Sequence, residues 1–150
     1  MAKIKFQIVT PEKVVLNEEV DSLTCPTTTG QITILPGHVP LISSLTHGEL
    51  VAHINGKPQY IAVSGGFVEV RPQSEVVVLA DSAEHAEEID VQRAEEAKRK
   101  AQELMKNANT MSQEEYAVMS ASLQKNLMRL KVAKRAHRPS HGLGSGVLKE

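Results

Sequence analysis

Hydrophobic and polar positions change period once along this chain, and the change divides it. Ile4, Phe6 and Ile8 alternate with Lys3, Lys5 and Gln7, the period-two spacing of a strand with one buried face. Further β-rich runs cover Val14–Leu16, Val20–Cys25, Gln31–Leu35, Glu49–Ile54, Gln59–Val63, Phe67–Val70 and Glu75–Leu79. Asn55-Gly56 between two of them predicts a tight hairpin, because both central positions of the favoured turn need positive φ. Pro36-Gly37, Gly65-Gly66 and Arg71-Pro72 punctuate the rest. Many short strands with no helix between them imply an antiparallel sandwich or barrel.

After about Asp81 the spacing becomes helical. Ala94, Ala97, Ala101, Met105 and Ala108 recur at three and four residues, a narrow stripe of small side chains. Asn107–Met111 interrupts the pattern, and Ser112 with Glu115 then offers a capping box. Tyr116, Met119, Leu123, Leu127 and Leu130 follow at helical spacing, so a short loop joins two antiparallel helices. The expected architecture is α+β: a β-sandwich over 1–84, a helical hairpin over 88–138, and a disordered Gly-rich tail over 139–150. An alanine stripe removes far less apolar surface than leucines, each worth roughly 1.5–3 kcal/mol when buried. Such helices dock loosely, which suits a switch; a tightly packed static hairpin is the alternative.

Charge sharpens the division. The net charge is only −1, which argues against a nucleic-acid binder. Residues 1–89, however, carry 5 Lys+Arg against 11 Asp+Glu, so −6, while residues 90–138 carry 11 against 6, so +5. The second module therefore suits acidic or phosphate partners. With 3% aromatic residues and no Trp, an aliphatic core is expected and base stacking is not. Cys25 is alone, so no internal disulfide forms. The sequence opens without a signal-like segment and holds no apolar run near membrane-spanning length, so a cytoplasmic protein that reaches a membrane only through a partner is expected.

Catalytic motifs do not emerge. There is no phosphate-cradling Gly loop with a following Lys, no His-Glu-x-x-His, no paired Cys and no nucleophile elbow. The densest segment is Gly30-Gln31-Ile32-Thr33-Ile34-Leu35-Pro36-Gly37-His38-Val39-Pro40-Leu41, by itself only a strand and a turn. At Ile89-Asp90-Val91-Gln92-Arg93-Ala94 two chemistries stay open. Asp90 reads as a helix N-cap with Arg93 as its ion-pair partner and Ala94 as packing. Equally, an acid at a helix start accepts from a base or ribose, an Arg one turn on pairs with phosphate, and a small Ala leaves room for a flat base.

The Gly30–Leu41 segment closely resembles the hallmark of the F-type ATP synthase epsilon subunits. The likeness continues through Ser64-Gly65-Gly66-Phe67-Val68-Glu69-Val70, Leu79-Ala80-Asp81, Ile89–Ala94 and Lys98-Arg99-Lys100, in order, over about residues 3–138. The resemblance implies a flattened sandwich followed by a two-helix hairpin, and a non-catalytic subunit of a proton-translocating rotary enzyme. It implies gamma-stalk, c-ring and alpha/beta partners and a place on the cytoplasmic face of the bacterial inner membrane. The free subunit would be a monomer. Thr28, Thr29, Gly30 and Gln31, with His38 nearby, would face the c-ring and gamma side. No cofactor would be required, but regulatory ATP would sit at Glu84, Ile89, Asp90, Arg93, Ala94, Lys125 and Arg129. ATP-binding family members place two arginines one turn apart on the second helix; Lys125 departs from this, and an ammonium cannot make the guanidinium's planar two-point contact. Arg129, Lys131, Lys134 and Arg135 would meet an acidic loop of the catalytic beta subunits when the helices extend, blocking ATP hydrolysis. The rival is a free-standing β-sandwich adaptor or ligand-binding protein that dimerises through its helical hairpin, along the Tyr116–Leu130 stripe.

Overall fold

A computed structural model describes residues 2–136, so Arg138 and the 139–150 tail lie outside the described residues. Five strands form one sheet, in the order β2 (Val14–Val20), β1 (Ile4–Val9), β9 (Glu75–Leu79), β8 (Phe67–Arg71), β5 (Leu41–Ser44). The other sheet runs β10 (Ser82–His85), β7 (Lys57–Ser64), β6 (Gly48–Ile54), β3 (Ser22–Thr27), β4 (Gly30–Ile34). The pairings are antiparallel except for β1 with β9, which is parallel.

The alternation in β1 is realised: Ile4, Phe6 and Ile8 are buried between the sheets. They meet Val68, Val76 and Val78 from their own sheet and Leu23, Ile34, Leu50, Ile61 and Val63 from the other. The core is aliphatic around a single phenylalanine. At the β6–β7 turn, Asn55 and Gly56 both take positive φ, 52° and 80°, as the hairpin signal required.

Two strands escape the sequence pattern. β5 is a four-residue edge strand, and β10 has no β-branched residue; each exists by pairing, with β8 and β7 respectively. The chain leaves β10 through a 3-10 turn at Ala86–Glu88 and enters α1 (Val91–Lys106), then α2 (Gln113–Ala136). Asp90 caps α1, its Oδ1 accepting from Arg93 N at 3.1 Å, and Ser112 Oγ accepts from Glu115 N at 3.1 Å at the start of α2.

The α1 stripe holds, with Ala94 and Ala101 buried. The α2 stripe holds only in part, with Leu130 buried and Met119 and Leu123 half-buried. Tyr116 and Leu127 are exposed, while Asn126, Leu130, Val132 and Ala133 are buried. The C-terminal half of α2 is covered on two sides, by α1 and by β7, so no single apolar stripe describes it. Its buried Asn126 is satisfied: Nδ2 donates to Ser122 O at 2.9 Å and Oδ1 accepts from Arg129 at 3.1 Å.

Candidate functional site

The hairpin lies against the outer face of the second sheet, and three residues organise the junction. Ala62 in β7 pairs with Glu84 of β10 on one side and Glu49 of β6 on the other. Directly paired residues point to the same face, so the two carboxylates flank a small side chain. Val132 and Ala133 of α2 fill the space over Ala62, with Ala86 and Ile89 completing the buried cluster and Tyr60 and Met128 at its margin. Arg129 Nε donates to Glu84 Oε2 at 3.0 Å, and Arg135 Nη1 donates to Glu49 Oε1 at 2.5 Å. The Arg135 guanidinium also stands 5.9 Å from the centre of the Tyr60 ring, within cation–π range. Glu49 is the more enclosed acid, its side chain 14% exposed and its second oxygen buried with no hydrogen-bond partner among the described residues.

Among the residues expected to hold a nucleotide, the structure joins Glu84 to Arg129. Ile89 and Ala94 are both buried, Ile89 beneath α2 and Ala94 on α1. One Asp90 oxygen is engaged in capping. Arg93 is exposed, and among the described residues it makes no ion pair, so the predicted Asp90–Arg93 pair is not formed. Lys125 lies one helical turn before Arg129, half-buried. A cavity of about 590 Å³ lined by Arg99, Gln102, Glu103, Met105, Lys106 and Leu123 opens toward the hairpin tip, and none of the expected nucleotide residues lines it. The residues thus fit a nucleotide in part: among the described residues Arg93 and Lys125 make no ion pair, while Arg129 is held by Glu84.

The expected partner loops separate. Thr28, Thr29, Gly30 and Gln31 are exposed at the β3–β4 turn, which Thr28 N fastens to Ser44 O at 3.1 Å. His38 sits beyond the other end of β4, where Gly37 N donates to Ser74 Oγ at 2.8 Å and the His38 ring bonds Val39 O. His38 is therefore not beside the turn, because the whole of β4 lies between them. Lys131 and Lys134 are exposed on α2, whereas Arg129 and Arg135 face the sandwich.

Sequence reasoning missed Glu49, Tyr60 and Asn126. Glu49 had one signal, its outward place beside inward Leu50, but its partner became visible only with the β6–β7–β10 register. A second surface was also hidden. Val14, Val9, Leu79 and Phe67 pair in succession across four strands on the outer face of the first sheet, and Val14, Leu79 and Phe67 are each more than half exposed.

Two family models divide the chain between them. The beta-sandwich domain of the ATP synthase delta/epsilon chain matches residues 3–86, and the long alpha-helix domain of the same chain matches residues 87–134. An ATP synthase epsilon chain from Dehalococcoides mccartyi is 49% identical over 135 residues, covering 90% of this chain and 95% of its own. One from Carboxydothermus hydrogenoformans is 54% identical over 101 residues, 67% of this chain and 75% of its own. A chain in the Euglena gracilis mitochondrial ATP synthase structure (OSCP/F1/c-ring, rotational state 1) superposes with a TM-score of 0.74 at 22% identity, covering 91% of this chain and 81% of that one.

Proposed function

The chain belongs to the ATP synthase delta/epsilon family, and from that premise we propose that it is a coupling subunit with a detachable brake. As an epsilon-type subunit it is a non-catalytic part of the stalk. The sandwich clamps the gamma stalk and rests on the c-ring, so that proton-driven rotation reaches the alpha/beta catalytic sites. The row Val14–Val9–Leu79–Phe67, half-buried at Val9 and exposed at the other three, supports a docking face on the side away from the hairpin, since apolar surface gathered in one place marks interaction sites. The exposed Thr28–Gln31 turn supports a contact with the ring. No helix among the described residues is long and apolar enough to cross a membrane, which fits attachment to the cytoplasmic face of the bacterial membrane through the complex. Isolated, the subunit is a monomer.

The observation that carries the brake is the interface itself. Ala62, Ala86, Ala133, Val132 and Ile89 join hairpin to sandwich, and mostly small side chains give a contact that can open at a cost of a few kcal/mol. Docked, as here, the hairpin permits turnover; extended, its Arg129, Lys131, Lys134 and Arg135 reach acidic surface on the beta subunits and obstruct hydrolysis. ATP held by Arg93, Lys125 and Arg129, with Asp90 and Glu84 reading the nucleoside, favours the docked form by as much as its affinity differs between the two states.

The test is ATP hydrolysis by the cognate catalytic core stripped of its epsilon subunit, before and after adding this chain. Saturable inhibition at one copy per core, lost when residues from Ile89 onward are removed, is expected. Binding without inhibition removes the brake and leaves the coupling role; no binding removes both.

A further inference from the structure

The junction carries a match of dimensions. Glu84 and Glu49 stand two strand spacings apart across Ala62, about 9.6 Å. Arg129 and Arg135 are six residues apart on α2, about 9 Å along a helix. Each arginine meets one acid, with the small Val132–Ala133 contact between them. We propose that Glu49 and Glu84 form a two-point charge clamp that sets how often α2 lies on the sandwich, with no nucleotide needed, and that holds Arg129 and Arg135 away from acidic partner surfaces while it is closed. The second half of this proposal rests on the brake reading above; the first half stands on the isolated chain.

The physical case is one of proportion. The buried apolar part of the contact is three alanines with Val132 and Ile89, so it is small in area. The Arg129–Glu84 pair is partly shielded, at 20% and 33% side-chain exposure, and so is screened less than an open surface pair; in the other pair Glu49 is enclosed at 14% while Arg135 is 47% exposed, so that pair is the more open to salt. The second oxygen of Glu49 raises the stakes: with Arg135 gone, neither oxygen of that acid has a hydrogen-bond partner among the described residues. Opening the clamp releases two guanidinium groups together. The same two groups therefore cannot serve the sandwich and an acidic partner at once.

The experiment is amide hydrogen exchange on the isolated full-length chain, without catalytic core and without nucleotide. Amides of the last two turns of α2 report docking, and β1 amides report the integrity of the sandwich. In E49Q/E84Q the α2 protection falls about tenfold while β1 is unchanged. The charge-swapped E49R/R135E regains most of the protection that R135E loses. Raising salt to about 0.5 M weakens protection in the wild type and not in E49Q/E84Q. Unchanged α2 protection in E49Q/E84Q, or no regain in the swap, overturns the clamp. Because no core is present, that failure is separate from a failure of the brake, which the hydrolysis assay reads alone.

Discussion

Gly66 and Leu79 meet backbone to backbone: a Cβ on Gly66 would stand 2.0 Å from the Leu79 carbonyl oxygen, and Gly66 has a φ of +104°. No side chain fits there without moving β9, and the conformation itself disfavours any residue with a Cβ. Gly66→Ala is expected to lower stability by about 2–4 kcal/mol, read as a shift of the urea midpoint.

Phe6 is 1% exposed at the centre of an otherwise aliphatic core. Its replacement leaves a large hole that valines and isoleucines, stiff at χ1, close poorly. Phe6→Ala should lose about 3–5 kcal/mol in urea unfolding.

Arg93 makes no ion pair among the described residues, so its side chain can be removed at little structural cost. If it holds phosphate, Arg93→Ala weakens ATP binding at least about tenfold while the thermal midpoint stays within about 2 °C. Calorimetric titration decides; undiminished ATP binding would remove the proposed site.

Asp21 links three segments. Its Oδ2 accepts from Gly56 N at 3.1 Å, and Lys3 Nζ lies 3.2 Å from Oδ1. The Gly56 amide and then Lys3 hold its carboxyl below the usual aspartate range. A lowered folded-state value means the contribution is present above the unfolded pKa and fades as pH falls through the folded one, so from about pH 4 downward. The Gly56 amide shift should titrate there, and in Asp21→Asn that titration should vanish.

Burial pushes the Cys25 thiol up to about 12. At pH 8 almost no thiolate forms, so a thiol reagent should react negligibly with the native chain and fully in urea. Rapid native labelling would place Cys25 outside the core.

Much of this molecule is legible in its sequence where local rules dominate. The β1 alternation, the Asn55-Gly56 turn, the Asp90 and Ser112 caps and the change of period each depend on neighbours within a few residues. β10 does not: Ser82–His85 becomes a strand because β7 offers an open edge. The α2 burial was misjudged because its last turns are covered by two elements rather than one. The junction shows the same limit. Glu84 and Arg129 were reachable through family resemblance, but Glu49 and Arg135 meet across 86 residues, and only the sheet register brings Glu49 level with Glu84.

The path from sandwich to helix is very short. Ile89 is sunk 5% exposed beneath α2, and the very next residue, Asp90, already caps α1. Between them lies no slack, so any swing of the hairpin must be taken up by a few dihedrals around Glu88–Asp90. That makes the linker a fulcrum and α1 a lever: its 16 residues reach about 24 Å. A turn of about 10° at the fulcrum carries the hairpin tip about 4 Å, roughly the width of a side-chain contact. Small angular play at Ile89 is thus magnified where the helices would meet a neighbour.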